Sequence, residues 1–249
     1  MSPILDIMLD IGSGETPAAV WDQRDMQTTY NDILEVPIYS TRDAAHYLRV
    51  PYQTLRYWLR GSDSIEPIIE PSGKNPPRLS FMNLMECHML SSMRTHYNLR
   101  LPKVREALRT LATMFPTPHP LVDKTFETNE IDVFIREHGN ELINLNRPEQ
   151  FEFRDILEMH MKRIDRTSTG IPLFFPFVEK RSSDEPKSIM ISPAISFGRP
   201  VISGTAIPTA VIASRFHARE SVGDLAREYG RTDKEIEEAI RWESRAIAA

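Results

Sequence analysis

The chain of 249 residues holds one cysteine, Cys87. A lone thiol excludes an internal disulfide framework and fits a reducing compartment. No apolar run approaches the ~20 residues that a membrane span needs. Residues 1–9 carry Asp6 and neither Lys nor Arg, so the basic n-region of a secretory signal is missing. These absences predict a cytoplasmic protein without a membrane partner. Internal repeats and low-complexity tracts are also lacking.

Signatures of catalysis are equally scarce. Gly12-Ser13-Gly14-Glu15 has no Lys-Ser/Thr to hold a phosphate. No Gly-x-Ser-x-Gly nucleophile elbow occurs. His88 and His96 lie eight apart, with Glu86 and Cys87 beside the first. That spacing does not set two imidazoles on one helical turn, and the second cysteine of a zinc site is missing. The carboxylates of residues 149–165 read as the charged face of a helix. The expectation is therefore a non-enzyme with no metal and no cofactor.

What is present is a foldable composition, 41% hydrophobic and 26% charged, which argues against disorder along the whole chain. The net charge of −5 is unevenly spread. Residues 37–115 carry eleven Lys or Arg against six Asp or Glu, a local +5, and the remainder is −10. A basic module inside an acidic chain suits a nucleic-acid-binding domain joined to an acidic partner region. Scattered surface charge would produce the same numbers by chance.

Residues 1–35 are acidic and weakly periodic, with a short helix expected near Pro17–Asp25. Ser40 or Thr41 can cap a helix with Asp43 in its first turn and Ala44, Ala45 and Leu48 as its apolar stripe. Arg49-Val50-Pro51 is a turn, and Pro51 suits the first position of a second helix that stops at Gly61. Leu55, Trp58 and Leu59 form its buried face. Ile65, Ile68 and Ile69 before a Pro/Gly-rich turn, and Leu79 and Phe81 after it, predict a hairpin. Helices follow at about Met82–Tyr97 and Pro102–Phe115. Pro116, Pro118 and Pro120 mark a linker. Short strands are expected at Lys124–Glu127, Ile131–Arg136 and Glu141–Leu145, then a helix over Gln150–Ile164. After an irregular stretch come a strand at Ile189–Ile191 and a compact loop-strand segment, Phe197–Thr209. Helices at Pro208–Phe216, Ser221–Glu228 and Asp233–Ala246 close the chain, with Ser221 and Asp233 as caps and Gly230 as a stop.

Helix, tight turn, helix, then glycine is the helix-turn-helix pattern. With Leu55, Trp58 and Leu59 turned inward, Tyr52, Gln53, Arg56, Tyr57 and Arg60 face out. Arg and Gln can make paired hydrogen bonds to base edges in a major groove. Thr54 and the tyrosines suit phosphate or a thymine methyl. An ordinary helical hairpin with a solvated face fits the same pattern.

The segment YSTRDAAHYLRVPYQTLRYW, Tyr39 to Trp58, resembles the start of a MerR-type winged helix domain. Pro77 to Phe81 resembles the end of its wing, and the two helices after it resemble those that follow the wing in that family. The resemblance implies DNA contacts from Thr41 and Arg42 as well, and from Arg78 on the wing. The long dimerising coiled coil and the cysteine-rich effector site of the sensors are missing, which puts metal or drug sensing in doubt.

A second motif, FGRPVISGTAIPT at Phe197–Thr209, spells a rigid elbow: Gly198 and Gly204 allow backbone angles closed to other residues, and Pro200 and Pro208 fix the flanks. From Ile189 onward the chain is similar to a small antitoxin domain with the signature GRPVI-x-GT-x-IP, followed by ES-x-x-x-LA-x-x-YG. Such domains accompany PIN-like ribonuclease toxins in VapBC-type pairs. Phe134–Asn146 and Gln150–Ile164 look like the joining region of longer members. The resemblance covers about residues 37–245. It implies an antitoxin that neutralises a PIN-like ribonuclease and represses its own operon by binding double-stranded operator DNA as a homodimer. An arginine could displace metal from the nuclease carboxylates through paired hydrogen bonds; Arg199, Arg215, Arg219 and Arg245 are the candidates, with a purely local role at the elbow open for Arg199. A stand-alone transcription regulator without a toxin, and a protein-interaction module without DNA activity, are the alternatives.

The expected fold is mainly α with short β elements, an α+β protein. It divides into an acidic arm at 1–36, a winged helix-turn-helix at 37–116, a connecting region at 117–187 and an antitoxin or dimerisation domain at 188–249.

Overall fold

The structure is a computed structural model that describes residues 32–62, 65–97, 101–114, 117–122, 155–167, 171–178, 182 and 184–244. The expected helix near Pro17–Asp25 and the strands expected between Lys124 and Leu145 lie outside these residues. The fold is α+β, with helices set around short antiparallel strands.

A helical turn at 32–35 leads to strand β1 (Tyr39–Ser40) and helix α1 (Thr41–Leu48). Ser40 caps α1 in a reciprocal box with Asp43, accepting from the Asp43 amide at 3.1 Å while the Asp43 carboxylate accepts from the Ser40 amide at 3.3 Å. Arg49 ends α1 in the left-handed region, at φ 54 and ψ 41. Helix α2 (Tyr52–Arg60) follows; Pro51 stands just ahead of its first turn, one place earlier than the sequence suggested, and Gly61 ends it. Leu55, Trp58 and Leu59 are buried, and each such side chain contributes roughly 1.5–3 kcal/mol by leaving water.

The hairpin is shorter and later than the hydrophobic pattern implied. Strands β2 (Gly73–Lys74) and β3 (Pro77–Leu79) form it, and β3 also pairs with β1, giving the order β1-β3-β2. Ile68 and Ile69 are not strand residues: their amides donate to the Trp58 carbonyl and close the end of α2. Helix α3 (Phe81–Tyr97) starts at Ser80, whose hydroxyl accepts from the Asn83 amide, and helix α4 (Leu101–Met114) follows, adding Val104 and Leu108 to the core. Phe81, Leu84, Met85, Met89 and Leu90 join Leu55 and Trp58 in one core.

Residues 155–161 are helical and deliver Leu157 and Met161 to that same core. Strands β4 (Ile164–Arg166) and β5 (Pro172–Phe174) make a second antiparallel pair. Phe174 exchanges backbone hydrogen bonds with Ile191, which links this pair to the segment beyond it. The apolar loop after β5 is held by Arg163. Its buried guanidinium donates to the carbonyls of Phe175 (2.6 Å), Pro176 (3.1 Å), Glu185 (2.7 Å) and Pro186 (3.3 Å), and stacks 4.6 Å from the Phe177 ring centre.

Strands β6 (Ile189–Met190) and β7 (Val201–Ile202) pair around the elbow, and helices α5 (Thr209–His217), α6 (Val222–Tyr229) and α7 (Asp233–Ser244) close a second core around Ile202, Ile212, Leu225, Ile236 and Trp242. Ser221 caps α6 and Gly230 ends it in the left-handed region. The cap of α7 is Thr232 rather than Asp233: its hydroxyl accepts from the Glu235 amide, and Glu235 accepts from the Thr232 amide at 2.8 Å. No helix among the described residues is long and apolar enough to cross a membrane.

Candidate functional site

Helix α2 sorts its residues cleanly. Leu55, Trp58 and Leu59 point into the core, and Tyr52, Gln53, Arg56 and Arg60 are exposed on the other side. Thr54 is half-buried. So is Tyr57, whose ring lies 5.5 Å from the Arg105 guanidinium carbon. No side chain caps the first turn of α2, so its leading amides stay open to an outside acceptor. Arg42 is exposed one helix earlier, and Lys74 is exposed at the tip of the hairpin, 2.9 Å from Glu70.

Two residues expected in this surface have other duties. Thr41 is buried, and its hydroxyl donates to the Pro77 carbonyl at 3.1 Å, tying α1 to β3. Its hydroxyl is already committed to that buried backbone acceptor. Arg78 is exposed, but its guanidinium folds back to donate to the carbonyls of Pro37 (2.9 Å) and Ile38 (2.7 Å). It braces the backbone leading into β1, so a phosphate would have to compete with two carbonyls. Lys74, which the sequence reading passed over, is the freer cation of the hairpin. Its position between Gly73 and the Asn75-Pro76 turn was the signal for it.

The four arginines proposed for partner contact separate just as sharply. Arg215 is engaged within the chain: it donates to Glu220 (2.8 Å), to both oxygens of Glu228 (2.6 Å each) and to the Tyr229 hydroxyl (3.0 Å). Donating to Glu228, and then to Glu220, raises its pKa and secures its positive charge. To enter a nuclease site it would have to abandon two carboxylates; here it ties α5 to the turn before α6 and to α6 itself. Arg199 and Arg219 are exposed, and among the described residues no carboxylate pairs with either. Arg219 sits in a left-handed turn at φ 76 between α5 and α6. Arg245 lies outside the described residues.

The elbow touches the α1–α2 unit directly. A Cβ on Gly198 would stand 2.5 Å from the Tyr39 hydroxyl and 2.6 Å from Ile38 Cδ1, so only glycine fits there, at φ 76. The Arg49 guanidinium stacks 4.3 Å from the Trp242 ring centre and donates to the Trp242 carbonyl. His46 meets the same indole edge-on, with ring centres 5.9 Å apart. Burial, and then the neighbouring Arg49, push the His46 pKa below its usual value. Burial drives the Tyr47 pKa well above the ordinary tyrosine range, with Arg199 pulling the other way. The turn between α1 and α2 is thereby docked on α7 through one arginine and three aromatic rings.

A third cluster went unseen in the sequence. His119 lies between two carboxylates, with Nε2 2.8 Å from Glu35 and Nδ1 2.8 Å from Glu86. Burial opposes the charged ring, but hydrogen bonds to Glu35 and Glu86 outweigh it and hold the His119 pKa up at about 9. Burial likewise raises the Glu86 carboxyl above its ordinary value. His88, singled out in the sequence, is buried with Nε2 3.2 Å from the His160 carbonyl. Cys87 is fully buried, and burial raises its thiol pKa, which makes it unreactive. Among the described residues no cluster of His, Cys, Asp and Glu could hold a metal ion.

Residues 189–242 match the model of a family of proteins of unknown function, DUF433. The chain is 22% identical over 231 residues to a Mycobacterium tuberculosis protein named "Putative antitoxin VapB45", a match that covers 83% of this chain and 93% of that protein. It is 23% identical over 231 residues to the uncharacterized protein Rv2308 of the same organism, covering 87% of this chain and 93% of that one. The crystal structure of Rv2018 from Mycobacterium tuberculosis shares the fold, with a TM-score of 0.63 at 21% identity over 82% of this chain and 98% of that one.

Proposed function

We propose that this chain is the antitoxin of a toxin–antitoxin pair, that it binds and inhibits a PIN-like ribonuclease, and that it represses its own operon by binding operator DNA. The observation that carries the DNA reading is the outer face of α2. Gln53, Arg56 and Arg60 are exposed together, opposite a fully buried Leu55 and Trp58, on a helix with an open N-terminus. That is the arrangement a recognition helix of a winged helix-turn-helix needs: base-reading side chains outward and a rigid core behind them. Arg56 and Gln53 would read base edges; Arg42, Arg60 and Lys74 would sit on phosphates. A homodimer would place two such helices on a two-fold operator.

The antitoxin half rests on the similarity to the relative of that name over most of both chains. Arg199 and Arg219 are the arginines that can reach a partner's carboxylates, since Arg215 is already satisfied. The test pairs two measurements on the purified chain. Fluorescence anisotropy with the DNA upstream of its own gene should give saturable, salt-sensitive binding that competitor DNA removes less well than the specific site. A ribonuclease assay with a PIN-like nuclease from the same genome should show inhibition at stoichiometric antitoxin. DNA binding without inhibition would leave a stand-alone regulator; neither would end the proposal.

A further inference from the structure

We propose that Phe197 is the anchor of the partner contact, an aromatic knob that enters an apolar pocket on an acidic protein while Arg199 pairs with carboxylates at the pocket rim. The proposal rests on the reading that this chain binds a nuclease, and it names the feature that does so.

Phe197 is 87% exposed, whereas the next large apolar side chain among the described residues, Val36, is 44% exposed. A lone apolar side chain on a surface is ordinary. The backbone beneath this one is not. Ser196, Phe197 and Gly198 all adopt positive φ, at 47, 57 and 76. Left-handed backbone at two consecutive non-glycine residues is strained and persists only where the surroundings impose it. Here they do. The Gly198 amide donates to Ile195 at 3.0 Å, and the Ser196 hydroxyl donates to the Ala206 carbonyl at 2.9 Å. Tyr39 and Ile38 fill the space where a Gly198 side chain would go. The turn is thus clamped between β1 and the loop after β7, and the clamp holds the ring in solvent. A group presented on a rigid backbone loses little freedom on binding, which is what a hot-spot aromatic requires.

Charge identifies the occupant. Arg199 is two residues on, so its Cα is within about 7 Å of that of Phe197 by the reach of the chain. It is exposed, and among the described residues no carboxylate pairs with it. An exposed aromatic ring carried on the same turn as an unpaired arginine is complementary to an apolar pocket edged with carboxylates, the chemistry of a metal-dependent nuclease cleft. A two-fold contact between copies of this chain would set the same patch against itself and bring Arg199 towards Arg199.

The test uses the full chain and a purified PIN-like ribonuclease from the same genome, with binding measured by calorimetry. Phe197→Ala and Phe197→Gly should each weaken binding by about 30-fold or more. Phe197→Gly should keep or raise the Tm, because glycine relieves the left-handed backbone, so lost binding cannot be blamed on unfolding. Arg199→Ala should weaken binding with a reduced salt dependence. Wild-type binding that both Phe197 variants retain would overturn this proposal and leave the antitoxin reading standing. No binding by the wild type would overturn both. A dimer that Phe197→Ala converts to monomer in sedimentation would make the occupant a second copy. Oxidative footprinting adds one check: Phe197 should react in the free chain, and protection there that deletion of residues 1–31 abolishes would place the occupant in cis. Either result would overturn the proposal.

Discussion

Alkaline pH should loosen the first core through His119. The imidazole is buried between Glu35 and Glu86, and those contacts hold its pKa at about 9 against 6.5 in an unfolded chain. The folded state therefore keeps a proton that the unfolded state has released. Such a group lends its full stabilisation below pH 6.5 and loses it as pH rises through 9. Glu86 acts in the same direction, since its raised pKa also means that the folded state binds more protons. At about 1.36 kcal/mol per pH unit the His119 displacement has a ceiling near 3 kcal/mol. Glu35 is nearly half exposed at 46%. Solvent screening there lowers the expected value to about 1–2 kcal/mol. For a chain of this length 1 kcal/mol moves Tm by roughly 2–4 °C, so Tm should fall by about 2–8 °C between pH 6.5 and pH 9. Thermal melts followed by circular dichroism at half-unit pH steps would measure it. The double variant H119Q/E86Q, which removes both groups and keeps hydrogen-bonding capacity, should lose most of that slope, with a small residue toward pH 9 from the buried Cys87 thiol. A wild-type Tm that is constant or rises there, or a double variant with the same slope, would refute the reasoning.

Other substitutions test separate parts of the structure. Arg56→Ala should cost ~1–3 kcal/mol of specific DNA affinity and flatten the preference for the operator, whereas Lys74→Ala should weaken specific and random DNA alike; equal losses on both DNAs for Arg56→Ala would contradict its base-reading role. Gly198→Ala forces a Cβ against the Tyr39 hydroxyl and into left-handed backbone, and should destabilise by about 2 kcal/mol or more in a urea titration. Arg163→Met removes the donor that four carbonyls share and should destabilise the fold by about 1–3 kcal/mol, read as a lower urea midpoint. Arg215→Ala should lower the Tm while leaving nuclease binding within about threefold, because its carboxylate partners belong to this chain rather than to another.

Much of the helical framework was legible in the sequence because its signals are local. Ser221 caps its helix as expected, Ser40 does so as one of the two candidates beside Thr41, and Gly61 and Gly230 end helices. Each of those decisions involves residues within one turn of each other. The apolar spacing of Leu55, Trp58 and Leu59 likewise assigned the inner and outer faces of α2 before any contact was known. Where neighbours compete, locality was not enough. Thr232 and Asp233 are both good caps, and Glu235, reaching back to the Thr232 amide, decides between them. The isoleucines at 65, 68 and 69 read as a strand by β-propensity, but the Trp58 carbonyl claims the amides of Ile68 and Ile69.

The candidate site was legible by residue type and only partly by role. An arginine's spacing says that it faces outward, not what already occupies its hydrogen bonds. Arg78 is held by the carbonyls of Pro37 and Ile38, and Arg215 by Glu220 and Glu228; only the folded chain shows this. Phe197 carried no periodic signal, because the strain that presents it arises from a clamp between two distant parts of the chain.

The amino-acid order alone determined most helices, several of their ends, the basic module and the polar face of α2, since capping, periodicity and net charge are properties of neighbours. Tertiary structure decided which polar groups are free. Arg49 reaches across 193 positions to Trp242, His119 across 33 to Glu86, and Arg78 across 41 to Pro37. Whether a charged side chain can meet a partner depends on the acceptors that folding brings to it, and no local pattern encodes those distances.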